Sequence, residues 1–135
     1  MRQYKEITAT NYCLQKLKCR CNACSFEFIE YIPLNYELVC FIDEFGEKYY
    51  LPTHGEYGYL DLLEKIVEGW KPDKDITNKV SEKFEKKFAE ITPYSLSLFQ
   101  KIKCPVCSRE DITVIRRETI ENYPINWIKI DTENI

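Results

Sequence analysis

Four of the seven cysteines occur in two C-x-x-C pairs, a residue type and spacing typical of metal ligation. Cys21 and Cys24 form the first pair, and Cys104 and Cys107 form the second. Two intervening residues let both sulfurs of a pair lie ~2.3 Å from one ion, while backbone N–H groups of the turn point at the thiolates. Two pairs supply the four sulfurs of a tetrahedral site. Zinc is the commonest structural ion for such a site, and iron is the alternative.

A complete set of thiolates leaves no coordination position open, so the pattern favours a structural ion over metal catalysis. The three other cysteines stand outside the C-x-x-C pattern. Cys19 aligns with Ile102 before the second pair, so we expect it at a packed strand position; it could compete as a ligand, but C-x-C fits the knuckle turn less well. Cys40 lies in an apolar segment, and we expect it to be a small core residue. Cys13 receives no assignment.

Cysteine usage and the N-terminal segment together predict a cytoplasmic protein. Residues 1–10 are polar and mixed in charge, unlike a signal peptide. No stretch approaches the ~20 apolar residues that a membrane span needs. Seven cysteines without an export signal favour metal ligation over disulfides.

The formal net charge of −3 conceals a segregated pattern. Residues 1–24 carry five bases and one acid, whereas residues 25–77 carry four bases and twelve acids. Residues 78–117 carry nine bases and five acids. Both cysteine pairs therefore lie in basic segments, and a strongly acidic stretch follows the first pair. The bases beside the pairs have a simple explanation, since four thiolates leave one zinc ion with a charge of −2.

The elements that must position these cysteines predict an α+β domain. Alternating apolar residues predict a strand over 26–32, and a hairpin over 37–42 and 47–51 with its turn at Gly46. Helical spacing predicts one helix from Tyr59 to about Trp70 and another from Asn78 to Ile91, capped by Asp75 or Thr77. Residues 96–103 fit a helix or a strand, but a strand must precede the second pair. Further strands are predicted over 111–116 and in the tail around Ile128.

The segments around the two pairs resemble the zinc-ribbon family, in which paired β-hairpin knuckles clasp a structural zinc ion. The first half runs from Lys18 to Phe28, and the second joins residues 103–108 to the strand at 112–114. This resemblance implies a single domain, with a ribbon from 16–32 and 100–117, an insertion over 33–99 and a C-terminal strand or tail over 118–135. It also implies the four metal ligands. These are Cys21, Cys24, Cys104 and Cys107.

Two features depart from the family pattern. Ser25 and Ser108 follow the knuckles where ribbons commonly have glycine, and 79 residues separate Cys24 from Cys104, far more than is usual. The inserted hairpin and two helices are therefore where a particular function is expected.

The sequence favours a non-enzymatic protein. His54 is the only histidine, and its place in a loop of Pro and Gly residues is ordinary for an exposed side chain. The chain has no phosphate-binding glycine loop, no H-E-x-x-H motif and no dinucleotide fingerprint. No small-molecule substrate is evident.

Two kinds of binding function remain. In the first, the acidic insertion contacts another protein, for example as an inhibitor or immunity-type protein for a basic partner. The interface would use Tyr49, Tyr50, Tyr57 and Tyr59, although these residues fit half-buried strand positions equally well. In the second, the protein is a zinc-ribbon regulator that binds nucleic acid, and bases near the knuckles contact phosphates. These bases are Lys16, Lys18, Arg20, Lys101, Lys103, Arg109, Arg116 and Arg117.

Overall fold

The computed structural model describes residues 3–135 as a mixed α+β fold with two helices and three small antiparallel sheets. Arg2, which was counted in the basic N-terminal segment, lies outside the described residues. The elements in chain order are β1 (Lys5–Glu6), β2 (Cys13–Cys21), β3 (Glu27–Pro33), β4 (Leu38–Ile42), β5 (Lys48–Pro52), α1 (Tyr59–Ile66), α2 (Asn78–Ile91), β6 (Ser97–Leu98), β7 (Ile112–Glu121) and β8 (Lys129–Ile130).

The sheet that carries the cysteine pairs has the order β3-β2-β7, and we call it the knuckle sheet. Its central strand β2 pairs antiparallel with β3 from Leu14 opposite Pro33 onwards, without a break in register. Its pairing with β7 shifts once, because Arg116 lies opposite Lys18 and Val114 lies opposite Cys19. Ile115 is therefore the extra residue of a β-bulge.

The second sheet has the order β5-β4-β6, and the main hydrophobic core lies between this sheet and the two helices. Phe41 of β4 contacts the aromatic rings of Phe84 and Phe88 in α2, with ring centroids 6.5 and 5.2 Å away. Apolar residues recur at helical spacing on both helices, so each helix buries one face here. Two-stranded pairing of β1 with β8 closes the same core, in which Ile130 is fully buried.

A smaller cluster joins the two larger sheets. Leu14 of the knuckle sheet packs with Leu38, Cys40 and Tyr50 of the second sheet. Beside it, Lys48 of β5 forms an ion pair with Glu30 of β3 and donates a hydrogen bond to the Tyr31 carbonyl at 2.9 Å. The position of the knuckle sheet therefore depends on apolar packing and on one largely buried ion pair.

Several predicted elements are confirmed. Helix α2 has the predicted bounds, and Thr77 is its cap because its Oγ1 accepts the Val80 N–H at 3.3 Å. The hairpin of β4 and β5 forms around Gly46, which has a φ of 80°. The C-terminal residues form the predicted last strand, β8.

One prediction is wrong, and another is confirmed only in part. Helix α1 ends at Ile66, four residues before Trp70, because Val67 is already extended, with φ of −97° and ψ of 104°, and the chain then turns at Gly69. Trp70 is nevertheless buried, which explains why its spacing looked helical. The strand predicted before the second cysteine pair forms only over Ser97–Leu98, and it does not join the knuckle sheet. The short strand β6 pairs with β4 instead, and the Phe99 N–H continues this pairing to the Cys40 carbonyl at 3.0 Å.

Neither helix among residues 3–135 combines the length and apolar composition that crossing a bilayer requires.

Candidate metal centre

The four cysteines of the two C-x-x-C pairs converge at one end of the knuckle sheet. The Sγ atoms of Cys21 and Cys107 lie 3.4 Å apart, and those of Cys24 and Cys104 lie 3.6 Å apart. All four sulfurs lie within 4.8 Å of one another. Zinc–sulfur bonds of ~2.3 Å place tetrahedral ligands about 3.8 Å apart. The cluster therefore has the size that a tetrahedral ion requires.

Both pairs form the same kind of backbone turn. The Cys21 N–H donates to the Phe26 carbonyl and the Ser25 N–H to the Cys21 carbonyl, both at 2.9 Å. In the second turn, the Cys104 N–H donates to the Arg109 carbonyl and the Ser108 N–H to the Cys104 carbonyl, again at 2.9 Å. The two serines adopt the left-handed conformation, with φ of 65° and 63°. Because glycine adopts this conformation most easily, the geometry explains why ribbons commonly have glycine at this position.

Asn22 connects the first turn to the strand that leaves the second turn. Its backbone N–H donates to the Asp111 carbonyl, and its side-chain amide donates to the Asp111 carboxylate, both at 2.9 Å. The Thr113 hydroxyl donates to Oδ1 of Asn22 at 2.9 Å. Asn22 was not among the predicted site residues. Asn at the first position inside a C-x-x-C pair is the signal that could have indicated it.

The local electrostatics split each pair into a more acidic and a less acidic thiol. A bond from the Cys24 backbone N–H contributes most to lowering the pKa of Cys21 to about 7. The Phe26 N–H lowers the pKa of Cys24, but burial and the neighbouring thiols raise it to about 12. In the other pair, burial raises the pKa of Cys104, but N–H groups of its own turn outweigh it and leave the pKa lowered. For Cys107, the Arg109 N–H lowers the pKa, but burial and the Cys21 and Cys104 thiols outweigh it and leave the pKa raised.

This donor set fits a thiophilic divalent cation. Four thiolates at these distances repel one another, and a divalent cation is what allows all four to be deprotonated together. The Val106 N–H already points at Sγ of Cys104 at 3.4 Å, as expected of a knuckle that stabilises thiolate charge. The cluster of four cysteines can therefore hold a metal ion.

The other cysteines and the histidine stand apart from this cluster. Cys19 and Cys40 are buried strand residues, as predicted. Burial raises the pKa of Cys40 to about 11, so this thiol is not a reactive one. Cys13 is half-buried at the start of β2, and His54 is exposed in its loop.

The tyrosines considered as interface residues are mostly structural. Tyr50 and Tyr59 are buried, at 3% and 7% exposure. Tyr49 packs on Tyr94 with ring centroids 4.4 Å apart, and Tyr57 lies beneath the ammonium group of Lys65. These four tyrosines therefore fit the interpretation as buried or half-buried structural residues better than the interpretation as interface residues.

The bases near the knuckles do not share one surface. Arg116 lies opposite Lys18, whereas Arg117 lies opposite Leu17. Neighbouring residues of a strand point to opposite faces, so the two arginines diverge. Lys18 also lies 3.9 Å from the carboxylate of Glu27, which offsets part of its charge.

In comparisons with known proteins, the chain matched no family model, no curated protein and no solved structure. The resemblance to zinc ribbons consequently depends on the two knuckle turns and their cysteines.

Proposed function

We propose that this chain is a non-enzymatic binding protein in which the four cysteines hold a structural zinc ion and the acidic insertion docks onto a basic protein. An inhibitor or immunity-type role for such a partner fits this description. The four thiols have to stay reduced to bind the ion, so a cytoplasmic setting is part of the proposal.

The observation that carries the docking proposal is the exposure of Phe45. This side chain is 86% exposed at the tip of the hairpin of β4 and β5. The acids Asp43, Glu44 and Glu47 surround it in sequence. A phenylalanine this exposed lacks the burial that usually stabilises it, whereas aromatic anchors are enriched at interfaces.

The tip is held in one conformation. Oδ1 of Asp43 accepts the N–H groups of Phe45 and Glu47, each at 2.9 Å. The Asp43 N–H donates to the Glu47 carbonyl at 3.0 Å, and the Gly46 N–H donates to the Asp43 carbonyl at 3.1 Å. A rigid loop loses little conformational entropy on binding. The aromatic ring and the surrounding carboxylates are therefore presented in advance to a basic surface with an apolar pocket.

Affinity capture with wild-type and variant chains tests this proposal. We expect a basic protein to be retained by the wild type, released at high salt and lost with Phe45→Ala. With the purified partner, Phe45→Ala should weaken binding by about 30-fold or more, as expected for an aromatic hot spot. Tyr36→Ala is the matched control, because Tyr36 is 87% exposed on a different loop. If both variants lose the basic protein equally, or if both retain it, docking through the tip is contradicted.

A second candidate function is nucleic-acid binding by the part of the knuckle sheet that carries Lys18 and Arg116. One observation favours it. The register places Lys18 and Arg116 directly opposite each other, whereas Lys16, two positions further along β2, lies opposite Glu118. Phosphates could be contacted by the Lys18–Arg116 pair.

The test is salt-dependent binding to a random-sequence oligonucleotide. Arg116→Ala combined with Lys18→Ala should weaken binding and reduce its salt dependence. Arg117→Ala is the control, because Arg117 points to the other face and donates to Oε1 of Gln15. Undetectable affinity for the oligonucleotide contradicts this candidate. It is also contradicted if Arg117→Ala weakens binding as much as the double variant does.

A further inference from the structure

The outer edge of β7 is the longest strand edge without a pairing partner among the described residues. β7 runs over ten residues and pairs with β2 on one side only. Residues 115–119 are all exposed. An unpaired edge presents N–H and C=O groups to which another strand can add.

The direction of the backbone groups along this edge follows from one hydrogen bond. The Asn122 N–H donates to the Tyr12 carbonyl at 2.9 Å. Hydrogen-bonded positions alternate along an antiparallel pair, so every second residue before Asn122 also faces β2. Arg117, Thr119 and Glu121 consequently point their N–H and C=O groups away from β2. The bulge at Ile115 ends this regular segment.

We propose that two copies of this chain associate through the outer edges of their β7 strands, with Thr119 opposite Thr119 of the second copy. A two-fold axis perpendicular to the sheet then relates the strands. Arg117 lies opposite Glu121 of the second copy, and the same pair occurs again on the other side of the axis. The three outward-facing positions exchange about six backbone hydrogen bonds.

Charge favours this register over those centred on Arg117 and on Glu118. Centring the axis on Arg117 places two arginines opposite each other, and centring it on Glu118 places two glutamates opposite each other. Like charges in directly opposite positions destabilise a strand pair, whereas opposite charges stabilise it. Centring on Thr119 produces two attractive pairs and no repulsive one. An arginine and a glutamate at equal distances from a central threonine make the edge complementary to itself, and this is why the partner is a second copy.

The dimer has a continuous six-stranded sheet of order β3-β2-β7-β7-β2-β3. The two-fold axis keeps equivalent faces on the same side, so the rows containing Lys18 and Arg116 of both copies share one surface. The interface is small and polar, and a Kd on the order of micromolar is expected from its size class.

Sedimentation velocity of the metal-loaded chain between about 5 and 500 μM, which brackets a micromolar Kd, tests the proposal. The wild type should shift from monomer to dimer over this range. Thr119→Pro should abolish the dimer, because it removes the N–H at the axis. The monomer should remain folded, since this N–H faces away from β2 and proline is tolerated at such edge positions.

Charge exchange tests the register. Arg117→Glu and Glu121→Arg should each weaken the dimer at least 10-fold, and the double variant should restore it. Arg116→Glu is the matched control, since this arginine faces Asn122 of the second copy and should change the Kd less than threefold. A wild type that stays monomeric at all concentrations overturns the proposal, as does a dimer that Thr119→Pro leaves intact. A double variant as weak as the single ones overturns it as well.

Discussion

The Sγ atoms of Cys21 and Cys107 lie 3.4 Å apart across 86 positions of the sequence. The first cysteine of the first pair thus contacts the second cysteine of the second pair. Cys24, the second cysteine of its pair, contacts Cys104, the first cysteine of the other. An ion bound to all four thiolates would join the two ends of the 79-residue segment between the pairs. The free energy of metal binding would then contribute directly to the folding of the knuckle sheet.

Removing one thiolate should therefore unfold much of the chain. We expect Cys21→Ser or Cys104→Ser to abolish stoichiometric metal binding and most of the free energy of unfolding, because structural zinc contributes roughly 10–16 kcal/mol in zinc-finger peptides. Metal analysis and thermal unfolding followed by circular dichroism measure both effects. Zinc and iron are distinguished in the same assay, and the wild type should contain one zinc ion per chain.

Cys13→Ser is the matched control, because Cys13 is half-buried and lies outside the cluster. It should retain the metal and unfold near the wild-type temperature. Purified wild type with neither zinc nor iron would contradict the metal proposal.

Replacing the serines that follow the knuckles with glycine should stabilise the chain. Ser25 and Ser108 have φ of 65° and 63°, a conformation that costs a residue with a side chain roughly 1–2 kcal/mol. Ser25→Gly and Ser108→Gly should each stabilise the chain by about 0.5–1 kcal/mol, after allowing for the greater freedom of glycine when unfolded. Chemical denaturation of the metal-loaded protein measures the change.

Ser81→Gly provides the contrast. Ser81 lies inside α2, where glycine should instead cost about 0.5 kcal/mol relative to serine. If all three substitutions destabilise the chain, the strain argument for the knuckle serines is wrong.

The features that could be predicted from the sequence are those determined by residues close together in the chain. Two residues between cysteines define a knuckle wherever it occurs, and Thr77 with a 3.6-residue apolar repeat defines α2. Pairing between distant segments was less accessible. Phe99 and Ile102 are apolar enough to join either sheet, and only the folded chain shows Phe99 hydrogen bonded to β4. The polar sequence of residues 116–121 likewise gave no local sign that β7 extends to Glu121.

Asp61 should make stability depend on pH. Partial burial raises the pKa of this carboxyl, but bonds from the Lys65 ammonium and the Tyr57 N–H outweigh burial and hold the pKa below its ordinary value of 3.8. A lowered pKa in the folded state stabilises the chain above the unfolded-state pKa, and this contribution is lost as pH falls through the folded-state pKa. The stability difference between wild type and Asp61→Asn should therefore be largest near neutral pH and disappear below the ordinary value.

Unfolding by urea at several pH values measures this difference. Asp73→Asn is the control, because Asp73 is exposed between the two helices. A difference for Asp61→Asn that stays constant between pH 7 and pH 3 would contradict the assignment.

The ion pair of Lys48 with Glu30 should couple the knuckle sheet to the second sheet. Both side chains are about four-fifths buried, at 18% and 20% exposure, and Lys48 also lies over the ring of Phe99 at 4.5 Å. Lys48→Met leaves the Glu30 carboxylate without its cation, so a loss of about 2–4 kcal/mol is expected. The double variant Lys48→Met with Glu30→Gln should lose clearly less stability than the sum of the single variants, because the second change removes the unpaired charge.

Lys71→Met is the control, because Lys71 forms an exposed pair with Glu64; it should change stability by less than about 0.5 kcal/mol. Strictly additive effects of the Lys48 and Glu30 variants would contradict the coupling.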